Sequence, residues 1–178
     1  MYWRYIYHTI AITFIWLTQA SFISAMPEPF NHLNLSLVAL LILLLFDDLN
    51  LLFFWTMLLS FLMSLNSTIP LTLLLISWWL VILIAYLILY QFLTNRSLYS
   101  LVILVIGSTV LLEFFILIGA YFSKIFTGLI LYEPINSIFF ANLFFSITLN
   151  ALAMLALFSF MGAINTKLKP FLLLKRKR

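Results

Sequence analysis

Residues 97–122 read SLYSLVILVIGSTVLLEFFILIGAYF and hold one charged side chain, Glu113. Wound at 1.5 Å per residue, they make a helix of about 39 Å, longer than the ~30 Å hydrocarbon layer of a bilayer. Such a run reads as a membrane span. Three others match it: residues 5–26, closed by Pro27-Glu28-Pro29; residues 70–93, opened by Pro70 and followed by Thr94-Asn95-Arg96; and residues 137–163. Two shorter apolar runs, 33–46 and 49–65, meet at Asp47-Asp48. As helices they reach only about 21 Å and about 25 Å, so they are two short spans or one re-entrant pair. Two spans are preferred, because lipid strongly disfavours two adjacent carboxylates.

Composition supports the same reading. The chain is 66% hydrophobic and 8% charged, too few charges to cover a water-soluble globule. The fold class is therefore all-α: a polytopic membrane helix bundle of about six transmembrane helices, with residues 1–166 as one transmembrane domain and 167–178 as a basic cytoplasmic tail. Arg4 ahead of an apolar run ending near Ser24-Ala25 has the outline of a signal peptide. The length of 5–26, and Gln19 late within it, favour an uncleaved first helix instead. No cysteine is present, which removes disulfides and thiolate chemistry.

Charge sets the expected orientation. With both termini inside, inner segments carry Arg4, Arg96, Lys167, Lys169, Lys175, Arg176, Lys177 and Arg178, and outer segments only Lys124. That bias follows the positive-inside rule and survives if residues 33–65 are re-entrant. Tyr2, Trp3, Tyr5, Tyr7, Tyr90 and Tyr99 would mark the inner interface, Tyr121 and Tyr132 the outer one. The tail cations, with Phe171–Leu174 between them, suit an anionic leaflet at about 1 kcal/mol each. Nucleic acid is not the expected partner of this basic balance.

Glu113 is the strongest candidate for chemistry, since an intramembrane carboxylate must find protein or water. It falls level with Asn142 and Ser146, which with Asn150 form a four-residue-spaced polar stripe on helix six. A proton or cation relay and a hydrogen-bonded helix–helix contact are both open. The contact is favoured, because no second embedded charge faces Glu113. Asp47 and Asp48 point about 100° apart on a helix and read as a solvated turn, with Asp48 or Asn50 capping the next helix. Asn31 or Asn34 is the plausible cap of the second helix. His8 and His32 are expected at opposite faces, not as a metal pair. Thr9, Thr13 and Ala20 make a weakly polar stripe on helix one, the preferred partner face, and Gly119 with Ser123 a small-residue step. There is no Gly-x-Ser-x-Gly, no His-Glu-x-x-His and no phosphate-cradling glycine loop, so neither an enzyme nor a cofactor is expected.

Three stretches carry a resemblance: Leu17-Thr18-Gln19-Ala20-Ser21-Phe22 running through Met26-Pro27 to Asn31-His32-Leu33-Asn34-Leu35; the segment 55–70; and Phe92-Leu93-Thr94-Asn95-Arg96-Ser97-Leu98-Tyr99-Ser100. In these, and in size and layout, the chain resembles the bacterial rod shape-determining protein MreD family. It departs from that family where Ser64 replaces an aspartate, Leu58 and Ser60 fall near glycine places, and Thr72 follows Pro70 in place of a glycine. The resemblance implies a non-catalytic subunit of the cell-elongation machinery in the bacterial plasma membrane, contacting an MreC-type scaffold and linking MreB filaments to wall synthases. It also implies a fold similar to the substrate-binding subunits of energy-coupling-factor vitamin transporters. That supplies one rival reading, a small-molecule binding subunit. Against it, the Ala-x-x-x-Ala docking pattern of such subunits is broken here by Ile15 after Ala11. A hydrophobic subunit of an energy-converting complex is a second rival.

Reporter fusions test the orientation. Those at Asn66 and Asn136 are expected to read external, and those at Asp48, Asn95 and Arg178 internal. An internal signal at Asn66 would establish the re-entrant pair.

Overall fold

The computed structural model describes residues 2–44, 49–91, 98–127 and 136–175. It is an all-α membrane bundle of six helices: α1 (Tyr2–Leu17), α2 (Leu35–Leu44), α3 (Leu49–Ser64), α4 (Leu71–Gln91), α5 (Leu98–Thr127) and α6 (Ser137–Lys175). Four segments are long and apolar enough to cross a membrane: Tyr5–Ile23, Leu71–Gln91, Tyr99–Ile125 and Ser137–Phe160. The other two are shorter, and α2, at ten residues, rises only about 15 Å.

That short helix occupies the middle. α3 packs on α1 and α4, α5 on α4 and α6, and α2 touches all five. Leu37, Val38, Leu40 and Leu41 are fully buried against Ile12 of α1, Leu59 of α3, Val81 of α4, Leu101 and Val105 of α5, and Met154 of α6. A helix apolar on every side belongs in such an interior. Its approach is irregular. α1 continues as a π-helical turn over Thr18–Ile23, in which Ser24 N–H donates to the Gln19 carbonyl five residues back at 3.1 Å. The Ser24 hydroxyl donates to the Gln19 and Ala20 carbonyls. Pro27 and Pro29 then end the helix, and a 3₁₀ turn at Phe30–His32 delivers the chain to α2.

Several boundaries differ from the sequence expectation. Pro70 stands one place before α4, its carbonyl accepting from Leu73 and Leu74 N–H at 3.1 Å each. α5 runs past Phe122, so Lys124 sits in its last turn, not in a connection. α6 runs past Ala163, taking Lys167, Lys169 and Lys175 onto helical backbone. Nothing between Ala163 and Lys169 breaks a helix, since Asn, Thr and Lys there are tolerated. The tail is thus largely an extension of the last helix. Arg176, Lys177 and Arg178, Arg96, and Asp47-Asp48 lie outside the described residues; Asn50 is in the first turn of α3.

The α4–α5 contact depends on a missing side chain. A methyl group built on Gly119 would lie 2.8 Å from Leu73 Cγ and 2.9 Å from its Cδ1, whereas one on Gly107 meets nothing within 4 Å. Gly119→Ala is therefore expected to lower stability by about 1–3 kcal/mol, the usual cost of overpacking. Gly107→Ala should be neutral or gain up to about 1 kcal/mol from helix propensity. Thermal unfolding of both variants in one mild detergent checks the contrast; equal losses would place Gly119 outside the helix contact.

Candidate functional site

The first backbone N–H groups of a helix have no acceptor within it and must find one elsewhere. Side chains from two other elements, the π-helical end of α1 and α6, converge on the start of α2, with one from α5 behind them. Gln19, turned inward by the π-helical segment, donates its Nε2–H to the Leu33 carbonyl and accepts at Oε1 from Leu35 N–H, both at 2.8 Å. Asn34 caps the helix as expected, its Oδ1 accepting from Leu37 N–H at 3.0 Å and its carbonyl from Val38 N–H at 3.2 Å. Asn34 N–H in turn donates to Asn150 Oδ1 on α6 at 2.7 Å. Asn150 Nδ2 donates to Thr109 Oγ1 on α5 at 3.1 Å, and the Thr109 hydroxyl donates to the Val105 carbonyl at 2.8 Å. One turn along α6, Ser146 donates to the His32 carbonyl at 3.0 Å, while the His32 ring stacks on Phe145 at 6.4 Å.

The amide orientations follow from the partners. A backbone carbonyl can only accept and a backbone N–H only donate, so Gln19 and Asn150 each have one permitted flip. Asn150 is fully buried and Thr109 nearly so. The belt ties α1, α2, α5 and α6 together. Ser36, also fully buried, has no partner for its hydroxyl. The carbonyl four residues back, which a helical serine would use, belongs to His32, and the extended Leu33 that follows takes it off the helical path.

Two members of the polar stripe read from the sequence, Ser146 and Asn150, hydrogen-bond to the α2 start. The backbone groups there need them: an unpaired buried amide costs more than a hydroxyl or carboxyl that can turn elsewhere. Glu113 lies one turn from Thr109 on α5, which by the Thr109–Asn150 pairing puts it level with Ser146; it is half-buried. Asn142 is half-buried and outside the belt. On α1 the Thr9 and Thr13 hydroxyls donate to the Tyr5 and Thr9 carbonyls, at 2.8 and 2.9 Å. Thr9, Thr13 and Ala20 are half-buried and border a more exposed ridge of Trp3, Tyr7, Ile10 and Phe14. His8 and His32 occupy separate places, His8 accepting at Nδ1 from Trp55 Nε1–H of α3 at 3.2 Å. Among the described residues no three His, Cys, Asp or Glu side chains group to hold a metal.

Sequence reasoning did not assign roles to Gln19 and Thr109. A glutamine near the end of an apolar span was the available signal for the first, since such a side chain seeks an internal partner. A threonine that bonds its own helix gives none.

Comparison with known protein families, with curated proteins and with solved structures finds no match to this chain.

The belt predicts a graded mutational response. Asn150→Leu strands Asn34 N–H in the interior and should cost about 1–2 kcal/mol, the upper part of the range for intramembrane hydrogen bonds. Gln19→Leu, which strands two backbone groups, should cost more, and Asn142→Leu close to nothing. Unfolding of the three variants in detergent, compared with the parent chain, would contradict the belt if Asn142→Leu were the most damaging.

Proposed function

We propose that this chain is a non-catalytic membrane scaffold, and specifically an MreD-like subunit of bacterial cell-wall elongation. It spans the plasma membrane six times with both termini cytoplasmic. The single observation that supports a scaffold is the use of the interior polar groups. Gln19, Asn34, Thr109, Ser146 and Asn150 hold the start of α2 in place, which suits a structural role better than a reactive one. The outward faces are apolar, with exposed aromatics on α1 (Trp3, Tyr7, Phe14) and α6 (Phe140, Phe144). Recognition then lies in helix-face contacts with other membrane proteins, where small residues beside bulky ones let helices approach. The edge of α1 formed by Thr9, Thr13 and Ala20 is the preferred contact for an MreC-type scaffold, through which wall-synthesis proteins are reached. The extension of α6, with Lys167, Lys169, Lys175 and the cations to Arg178, meets anionic lipid of the inner leaflet.

Depletion should round rod-shaped cells, and purification in mild detergent should recover an MreC-type protein. Thr13→Trp or Ala20→Phe should reduce that recovery several-fold at unchanged membrane levels. Recovery of an ATP-driven transporter complex or a tightly held vitamin, with cell shape unchanged on depletion, refutes the assignment in favour of the transporter-subunit reading.

A further inference from the structure

Away from the belt, a groove of about 350 Å³ runs between α4 and α5 from the end of the bundle where α4 begins. Its apolar walls include Leu73, Ile76 and Leu80 of α4 and Phe115 and Ile118 of α5, with Gly119 at the point where the two helices come closest. Ile76 is 58% exposed, so the groove opens sideways, toward lipid.

Two features make it more than a gap between helices. At its mouth, Pro70 supplies no N–H, and the first backbone bonds of α4 are those of Leu73 and Leu74 to the Pro70 carbonyl. The N–H groups of Leu71 and Thr72 therefore have no acceptor among the described residues. Thr72 is exposed and lines the groove, and the first turn contains no acidic side chain. A helix start in this condition attracts an anion through its open N–H groups and the positive end of the helix dipole. Deeper in, Ser77 lines the groove, is only 2% exposed, and makes no hydrogen bond among the described residues. Thr56, Ser60 and Thr109, buried on other helices, all return their hydroxyls to the carbonyl four residues back. Ser77 does not, and its hydroxyl is left for whatever fills the groove.

We propose that this groove binds one phospholipid from the leaflet on the side of the 65–70 turn. The phosphate sits at the Leu71 and Thr72 N–H groups with the Thr72 hydroxyl. One acyl chain lies along Leu73, Ile76, Leu80, Phe115 and Ile118, and the Ser77 hydroxyl donates to an ester carbonyl of the glycerol region. The chemistry singles out this occupant. An apolar helix of a partner protein brings no anion to the mouth of the groove. An apolar molecule would leave the Leu71, Thr72 and Ser77 donors unmet. The surrounding bilayer supplies an anionic head on an apolar chain at the right depth. The site is independent of the scaffold reading.

Native mass spectrometry of the full chain in mild detergent, titrated with phosphatidylglycerol or with diacylglycerol of the same acyl chains, is the test. One phosphatidylglycerol per chain should be retained, with diacylglycerol held about tenfold more weakly for want of the phosphate. Thr72→Asp places a carboxylate where the phosphate sits, yet an acidic side chain in a first turn favours the helix, so it should lose binding while keeping its unfolding temperature. Ile76→Trp, which fills the groove from its exposed rim, should lose binding of both lipids. The proposal is overturned if diacylglycerol and phosphatidylglycerol are retained equally, or if folded Ile76→Trp binds as the parent does. Inorganic phosphate competing as well as the lipid would equally reject an acyl chain in the groove.

Discussion

The structure depends on how its central helix begins. α2 touches all five other helices, and side chains from the end of α1 and from α6 meet its first turn. Backbone N–H and C=O groups in that position must be met by protein. Gln19, Asn34, Asn150 and Ser146 meet them, and Thr109 completes the coordination of Asn150. Other features of the bundle follow from this requirement. The π-helical turn directs Gln19 toward α2, the paired prolines end the first helix, and α5 and α6 are held in the register that brings Thr109 opposite Asn150.

Lipid explains why polar and small residues have such weight here. Between two apolar helix faces in a bilayer there is no water to expel, so burying leucine on leucine does not choose one arrangement over another. Hydrogen bonds and close approach do. Asn150 selects the mutual rotation of α5 and α6, and Gly119 selects that of α4 and α5 by admitting Leu73 where a side chain would exclude it. The apolar remainder fills space around these contacts. It gives the helices affinity for the membrane without specifying neighbours.

This division of labour bears on function. The polar groups described above hold α2, and the exterior carries two different kinds of surface. One is the aromatic ridge of α1, with half-buried Thr9 and Thr13 along its border, suited to another helix. The other is the α4–α5 groove, whose unmet donors suit an amphiphile. A protein partner and a lipid can therefore be accommodated at once, on different sides of the bundle.

Much was legible locally. Hydropathy and length identify four spans and two short apolar helices, because crossing a bilayer is a property of each segment alone. The prolines at 27 and 29 and the Asn34 cap are likewise readable, since chain breaks and caps act within a few residues. The longer reach of α5 and α6 was not, because lysine, threonine and asparagine are tolerated in a helix as readily as in a loop and do not say where one ends. Partners were least visible. The stripe Asn142, Ser146, Asn150 stands out in the sequence, but that Asn150 serves a backbone amide 116 residues away does not. Nor does the central place of α2, whose faces are all apolar and so give no periodicity to read. The sequence by itself determined that the chain enters the membrane as helices, since hydropathy is local. Only the tertiary structure decided which helix lies inside and which polar groups meet, because in lipid those choices rest on a few long-range hydrogen bonds and one close contact.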